Sequence, residues 1–159
     1  MTQAPYDAAP EGGFVALGHR LLVLDSITEA VGTGAGCIVV SGSHGGLSAG
    51  RFALDAQVWM AVFNDAGGGK DAAGIAALAL LQAHGIAACT VAHTSARIGE
   101  AQSTLEGGVI SQANAAARAA GAEIGGRLAD WLRADAAKPA PGASPGPGPG
   151  PDTGTGASA

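Results

Sequence analysis

The sequence predicts an α/β domain of three layers: a mostly parallel sheet of four or five strands with helices on both faces, Rossmann-like in outline but lacking a dinucleotide fingerprint. Three observations carry this reading. The runs 37–40, 58–63 and 86–92 are almost wholly apolar, as strands covered on both faces are. Stretches with helical patterning alternate with them. Glycine-rich polar segments punctuate the joins between the two kinds of run.

Taken in order, the apolar runs 14–17 and 21–24 flank Gly18-His19-Arg20 and predict a bent strand or a tight hairpin. Ser26-Ile27-Thr28-Glu29 has the S-x-x-E form of a capping box, so a brief helix to Val31 should follow, broken by the glycines of 32–36. The first buried strand is then 37–40. A short helix is expected over 48–57, although Gly50 weakens it, and the second buried strand over 58–63. Asp71 stands where it would cap a helix over 72–84. That helix is apolar on nearly every side and needs wide cover. His84-Gly85 reads as its stop, with 86–92 the third buried strand. An Ala-rich helix is expected over 111–120. Residues 123–134 read as an amphipathic helix, with Ile124, Leu128, Trp131 and Leu132 on one stripe and Glu123 and Arg127 as an i,i+4 pair.

Composition sets the outer limits. The 159 residues include 27 glycines and 37 alanines, yet no Gly-X-Y period, and hydrophobic residues at 47 % exclude a wholly disordered chain. Thirteen acids against eight scattered bases, a net charge of −5, exclude a basic nucleic-acid face. Residues 1–12 are expected to be a flexible segment, 13–136 a single domain, and 137–159 a disordered Pro/Gly-rich tail. That tail has no Leu, Ile, Val or aromatic residue to offset its ordering entropy. Residues 1–13 hold no Lys, Arg or apolar run, so they do not read as a signal peptide. The stretch 72–92 is uncharged and long enough to span a bilayer. Gln82, His84 and Gly85 near its middle, with alanine as most of its apolar content, favour a helix followed by a strand. Cys37 and Cys89 lie in or beside apolar runs and read as buried, reduced thiols of a cytoplasmic protein. With aromatics at 4 % and small alanine faces, a monomer would be marginal, and a homo-oligomer is expected.

Charged residues are only 13 % of the chain, yet polar and ionisable groups crowd the C-terminal ends of the expected strands. Leu24 is followed by Asp25-Ser26, the run 37–40 by Ser41-Gly42-Ser43-His44-Gly45-Gly46, the run 58–63 by Asn64-Asp65-Ala66-Gly67-Gly68-Gly69-Lys70, and the third strand by His93-Thr94-Ser95-Ala96-Arg97. Ligands of open α/β sheets bind at this edge, where strand order reverses. Parallel pairing would therefore gather these loops along one rim.

Each segment offers chemistry. His44 suits acid/base work near neutral pH, while Gly45 and Gly46 allow close approach of a ligand and Ser41 adds a hydroxyl. Asp65 is the candidate carboxylate partner. The amides of Gly67, Gly68 and Gly69, with Asn64 and Lys70, could hold an anion; turn-forming and a solvated lysine are the plainer roles. This is not a Walker A loop, since Asn64 and Asp71 stand where glycine and Ser/Thr belong. Ser43 and Ser95 are candidate nucleophiles if the chemistry is covalent. Arg97 is a bidentate anion binder or, structurally, a partner for Glu100 or Asp65. Asp25 completes the rim. His19, His44, His84 and His93 show neither i,i+4 spacing nor cysteine partners, so no metal and no cofactor are expected.

The buried strand followed by Ser43-His44-Gly45-Gly46 resembles the caspase-type cysteine peptidases, whose catalytic histidine sits in a similar His-Gly loop. The resemblance covers about one sixth of the chain. It implies a related α/β topology but not the peptidase activity. The family's nucleophilic cysteine ends the next core strand, where this chain has Asn64-Asp65-Ala66-Gly67. The expectation is a small cytoplasmic enzyme that hydrolyses, or transfers a proton on, a compact anionic or polar metabolite. A non-catalytic small-molecule-binding module, a subunit of a larger assembly, or a structural domain are the alternatives.

Overall fold

A computed structural model describes residues 14–136. The two segments expected to be flexible, 1–12 and 137–159, lie outside the described residues. From residue 14 onward the chain forms β1 (Phe14–Ala16), β2 (His19–Leu24), a 3-10 turn (Ile27–Ala30), β3 (Ile38–His44), α1 (Leu47–Ala56), β4 (Met60–Asn64), a 3-10 segment (Lys70–Ile75), α2 (Ala76–Ala83), β5 (Ala87–Val91), α3 (Ala101–Gly107), β6 (Ile110–Ala113), α4 (Ala115–Ala119) and α5 (Leu128–Ala136). These strands make one mixed six-stranded sheet in the order β1-β2-β3-β4-β5-β6. β2 through β5 are parallel neighbours, whereas β1 and β6 pair antiparallel at the two edges. Six strands replace the four or five expected, because β6 stands at an edge where the sequence reads as the start of an Ala-rich helix. The order never reverses among them, so the switch point of a doubly wound fold is absent from this sheet.

Local physics accounts for most elements. β1 and β2 form the tight hairpin, turning at Leu17 and Gly18. The capping box is present in full: the Ser26 hydroxyl takes the Thr28 N–H, and the Glu29 carboxylate takes the Ser26 N–H at 3.1 Å. The uncharged 72–92 stretch divides as its glycine suggests, with α2 stopping at His84, Gly85 (φ 73°) reversing the chain, and β5 following. Among the described residues no helix is long and apolar enough to cross a membrane.

Three expectations need correction. Asp71 does not cap a helix at 72. Asp71 and Ala72 both lie in the left-handed region (φ 55° and 60°), so the helix begins only at Ala76. Residues 111–120 are not one helix. Ile110–Ala113 is a strand, and Asn114 starts the short α4 by taking the Ala117 N–H at 2.9 Å. The last helix starts at Leu128 rather than 123. Ile124 is exposed, and Arg127 lies near Asp130 (3.9 Å) instead of pairing with Glu123.

Alternate strand residues join two separate buried clusters, the period-2 consequence of the pleat. Ile38, Val40, Met60, Val62, Cys89 and Val91 pack with Leu105 of α3 and with Leu128 and Leu132 of α5. Val39, Ala61, Phe63 and Ala88 pack with Ile27, with Ala49 and Ala53 of α1, and with Ala77 and Leu81 of α2. The elements linking parallel neighbours thus all contribute to the second cluster, as crossovers of one hand in a steadily advancing strand order require. Both cysteines are free and buried, and burial pushes the Cys89 thiol up to about 12.

Candidate functional site

The strand register decides what meets at the rim. Asn64 is opposite His44 on β3 and opposite Val91 on β5, so the residues just beyond each strand emerge side by side. The backbone stitches these loops together. Gly42 N–H donates to the Asp25 carbonyl (3.0 Å), Gly99 N–H to Gly42 (2.7 Å), Gly45 N–H to Asn64 (3.0 Å) and Asp65 N–H to Val91 (2.9 Å). Gly42 is where the chain can accept no side chain. A Cβ there would overlap the Gly99 and Glu100 backbone, because the loop after β5 folds directly over it.

Many expected ligand groups turn out to brace this rim. The Ser41 hydroxyl is fully buried and donates to the Val62 carbonyl (2.8 Å). The Ser43 hydroxyl oxygen accepts the Ile27 N–H (3.0 Å). Ser95 donates to the Ala92 carbonyl (2.7 Å) and accepts the Val109 N–H (2.9 Å). An Asp25 carboxylate oxygen takes the Ala101 N–H at 2.9 Å. Buried Asn64 accepts from Ala66 N–H (2.8 Å) and donates to the Ala96 carbonyl (3.0 Å), tying the end of β4 to the loop after β5. The loop amides are engaged as well: Gly67 and Gly68 donate to the Asp65 side chain and carbonyl, and Gly46 to His44.

One carboxylate–imidazole pair stands among these braces. Asp65 Oδ1 accepts the N–H groups of Gly67 (2.7 Å) and His93 (3.0 Å) and lies 3.4 Å from His93 Nδ1. Its side chain is 13 % exposed, that of His93 52 %. Burial alone would raise the Asp65 pKa. The Gly67 N–H, the Ser111 hydroxyl, the His93 N–H and the His93 imidazole together outweigh it and hold the carboxyl below its ordinary value. Asp65 thus faces the Nδ1 edge of the His93 ring, as a counter-charge for that ring when it is protonated. His44 Nδ1 accepts the Gly46 N–H at 3.2 Å, which places the proton of the neutral ring on Nε2. Arg97 and Lys70 are exposed and form no ion pair among the described residues; neither Glu100 nor Asp65 engages the guanidinium.

A cleft of about 510 Å³ opens beside the pair, lined by residues 93–98 and Ser103. From the expected set Ser95 and Arg97 line it and Asp65 reaches it only through His93, whereas His44 at the end of β3 and Lys70 in the 3-10 segment lie outside its lining. His93 and Ser111 are the members that sequence reasoning missed. Ser111 was hidden by the helix expected over it. His93 was legible, since it directly follows the apolar run 86–92 as Asn64-Asp65 follows the run 58–63. Among the described residues no group of three or more His, Cys, Asp or Glu side chains is placed to hold a metal ion.

Fold and rim together define an α/β protein with a polar edge at the C-terminal ends of its parallel strands. No family model, curated protein or solved structure matches the chain.

Proposed function

We propose that this protein is an enzyme that moves a proton on, or hydrolyses, a compact anionic metabolite bound at the strand-end rim. The observation that carries the reading is the Asp65–His93 pair beside a cleft whose lining includes one permanent cation, Arg97. In this reading His93 is the general base, Asp65 fixes its tautomer and stabilises the imidazolium that forms, and Arg97 holds the anion. His44, two strand spacings away at about 10 Å, offers an N–H donor for charge developing at the far end of the substrate. Ser43 and Ser95, with hydroxyls committed to backbone partners, brace the loops, so water is the favoured nucleophile. The two buried clusters support a domain with helices on both faces of the sheet, and two reduced thiols support a cytoplasmic setting.

The test is a screen of small carboxylates, phosphates and amides for turnover, repeated with single variants. His93→Ala and Asp65→Asn should each lower kcat by about 100-fold or more, while His84→Ala, on the helix end before β5, should leave it unchanged. Turnover that survives both rim substitutions would exclude the assignment. Ligands that bind at the cleft without any turnover would mark a binding module instead.

A further inference from the structure

We infer that the cleft after β5 is built for a monocarboxylate with a short aliphatic body, an inference that rests on the reading of the rim as a metabolite site. The cleft lies within the size range of small-molecule sites. The permanent cation of its lining is Arg97, whose planar fork suits two carboxylate oxygens. One guanidinium neutralises one negative charge. A second charge on the ligand would stand unmatched beside the ionised Asp65 behind His93, in a chain of net charge −5. Directly beyond Arg97, Ile98 is 53 % exposed, with Ala96 packed beneath the same loop. An apolar wall next to a lone cation matches a headgroup joined to a few methylenes, each removed from water on binding. His93 and Thr94 line the same cleft and supply the polar groups that would meet the rest of the ligand.

The cleft is also held open in advance. Ser103 Oγ accepts the Arg97 N–H (2.9 Å), Asn64 holds the Ala96 carbonyl (3.0 Å), and Gly42 holds the Gly99 N–H (2.7 Å). Binding therefore needs little ordering of the loop beyond the Arg97 and Ile98 side chains.

The experiment is an amide-resolved NMR titration of the full chain with sodium butyrate, acetate and inorganic phosphate in separate series. Butyrate should saturably shift the amides of 94–103, with Arg97→Gln weakening it by about tenfold or more. Ile98→Ser should weaken butyrate by about threefold or more and acetate by less than about twofold. Both side chains are exposed, so the variants should keep the native spectrum elsewhere. Phosphate saturating the same amides more tightly than butyrate, or Ile98→Ser leaving butyrate unaffected, would overturn the carboxylate assignment while leaving the rim site standing. If none of the three moves these amides, the site itself falls, and the proposed function with it.

Discussion

Removing the charge at position 65 probes the rim most directly. In Asp65→Ala the N–H groups of Gly67 and His93 lose an ionised acceptor at 2.7 and 3.0 Å, and the His93 ring loses its partner at 3.4 Å. Hydrogen bonds to charged groups are worth about 1.5–3 kcal/mol each when nothing replaces them. Gly67 and His93 are exposed, so water takes over much of the lost acceptance, and the net cost should be about 2 kcal/mol. Asp65→Asn keeps an oxygen facing the same two donors and should cost about 1 kcal/mol. The pH dependence has a definite sign. The folded carboxyl titrates below its ordinary 3.8, so the unfolded chain binds this proton first as pH falls. The carboxylate's contribution is thus complete above the ordinary value and disappears as pH drops through the lower, folded one. Urea unfolding of both proteins at about pH 5 and about pH 3 should show the gap between wild type and Asp65→Asn narrowing toward acid. A gap that is constant, or that widens toward acid, would refute the claim that these donors hold Asp65 ionised.

The remaining expectations rest on equally local facts. Gly42→Ala places a Cβ against the Gly99 and Glu100 backbone; it should lower stability by about 3 kcal/mol in denaturant melts and abolish anion binding at the neighbouring loop. Asn114→Ala removes a buried amide that accepts from Ala88 and Ala117 N–H (3.0 and 2.9 Å) and donates to the Leu78 and Ile86 carbonyls (3.2 and 2.9 Å). Its cost should be about 3–4 kcal/mol by the same melts, with Asn114→Asp only partly restoring it, since the carboxylate cannot donate. Cys89, buried with its thiol pushed up to about 12, should resist alkylation at about pH 8 in the native protein and react fully in urea, as followed by mass spectrometry.

The buried parallel strands were legible because burial on both faces leaves an unbroken apolar run, as Val39, Val40, Ala61 and Val62 show. β6 was not. Ile110-Ser111-Gln112-Ala113 is an edge strand covered on one side, four residues long, and it runs into an alanine series whose helical propensity dominates the pattern. What makes it a strand lies outside it: pairing to Cys89, Thr90 and Val91, and the Asn114 side chain reaching Ala88, Leu78 and Ile86. The start of α2 failed for a related reason. Asp71 has the chemistry of a cap, but the run of left-handed residues leading to it aims the chain elsewhere.

The rim was legible through scarcity. In a chain with so few ionisable groups, their recurrence just past apolar runs marked the strand ends, and parallel pairing placed those ends together. Composition could not separate the side chains that build the rim from those that face outward. Serine, asparagine, aspartate and glycine are the residues that satisfy backbone groups in tight loops, and also those that bind ligands. Register separates them. Because Asn64 stands opposite Val91, its amide reaches Ala96 and the next residue, Asp65, reaches His93. A shift of one residue would exchange these partners, turn the carboxylate from the imidazole, and leave the Asn64 amide without its carbonyl. The pairing of β4 with β5, fixed by apolar side chains at 60–63 and 87–89, is therefore what brings a carboxylate and an imidazole together at this edge.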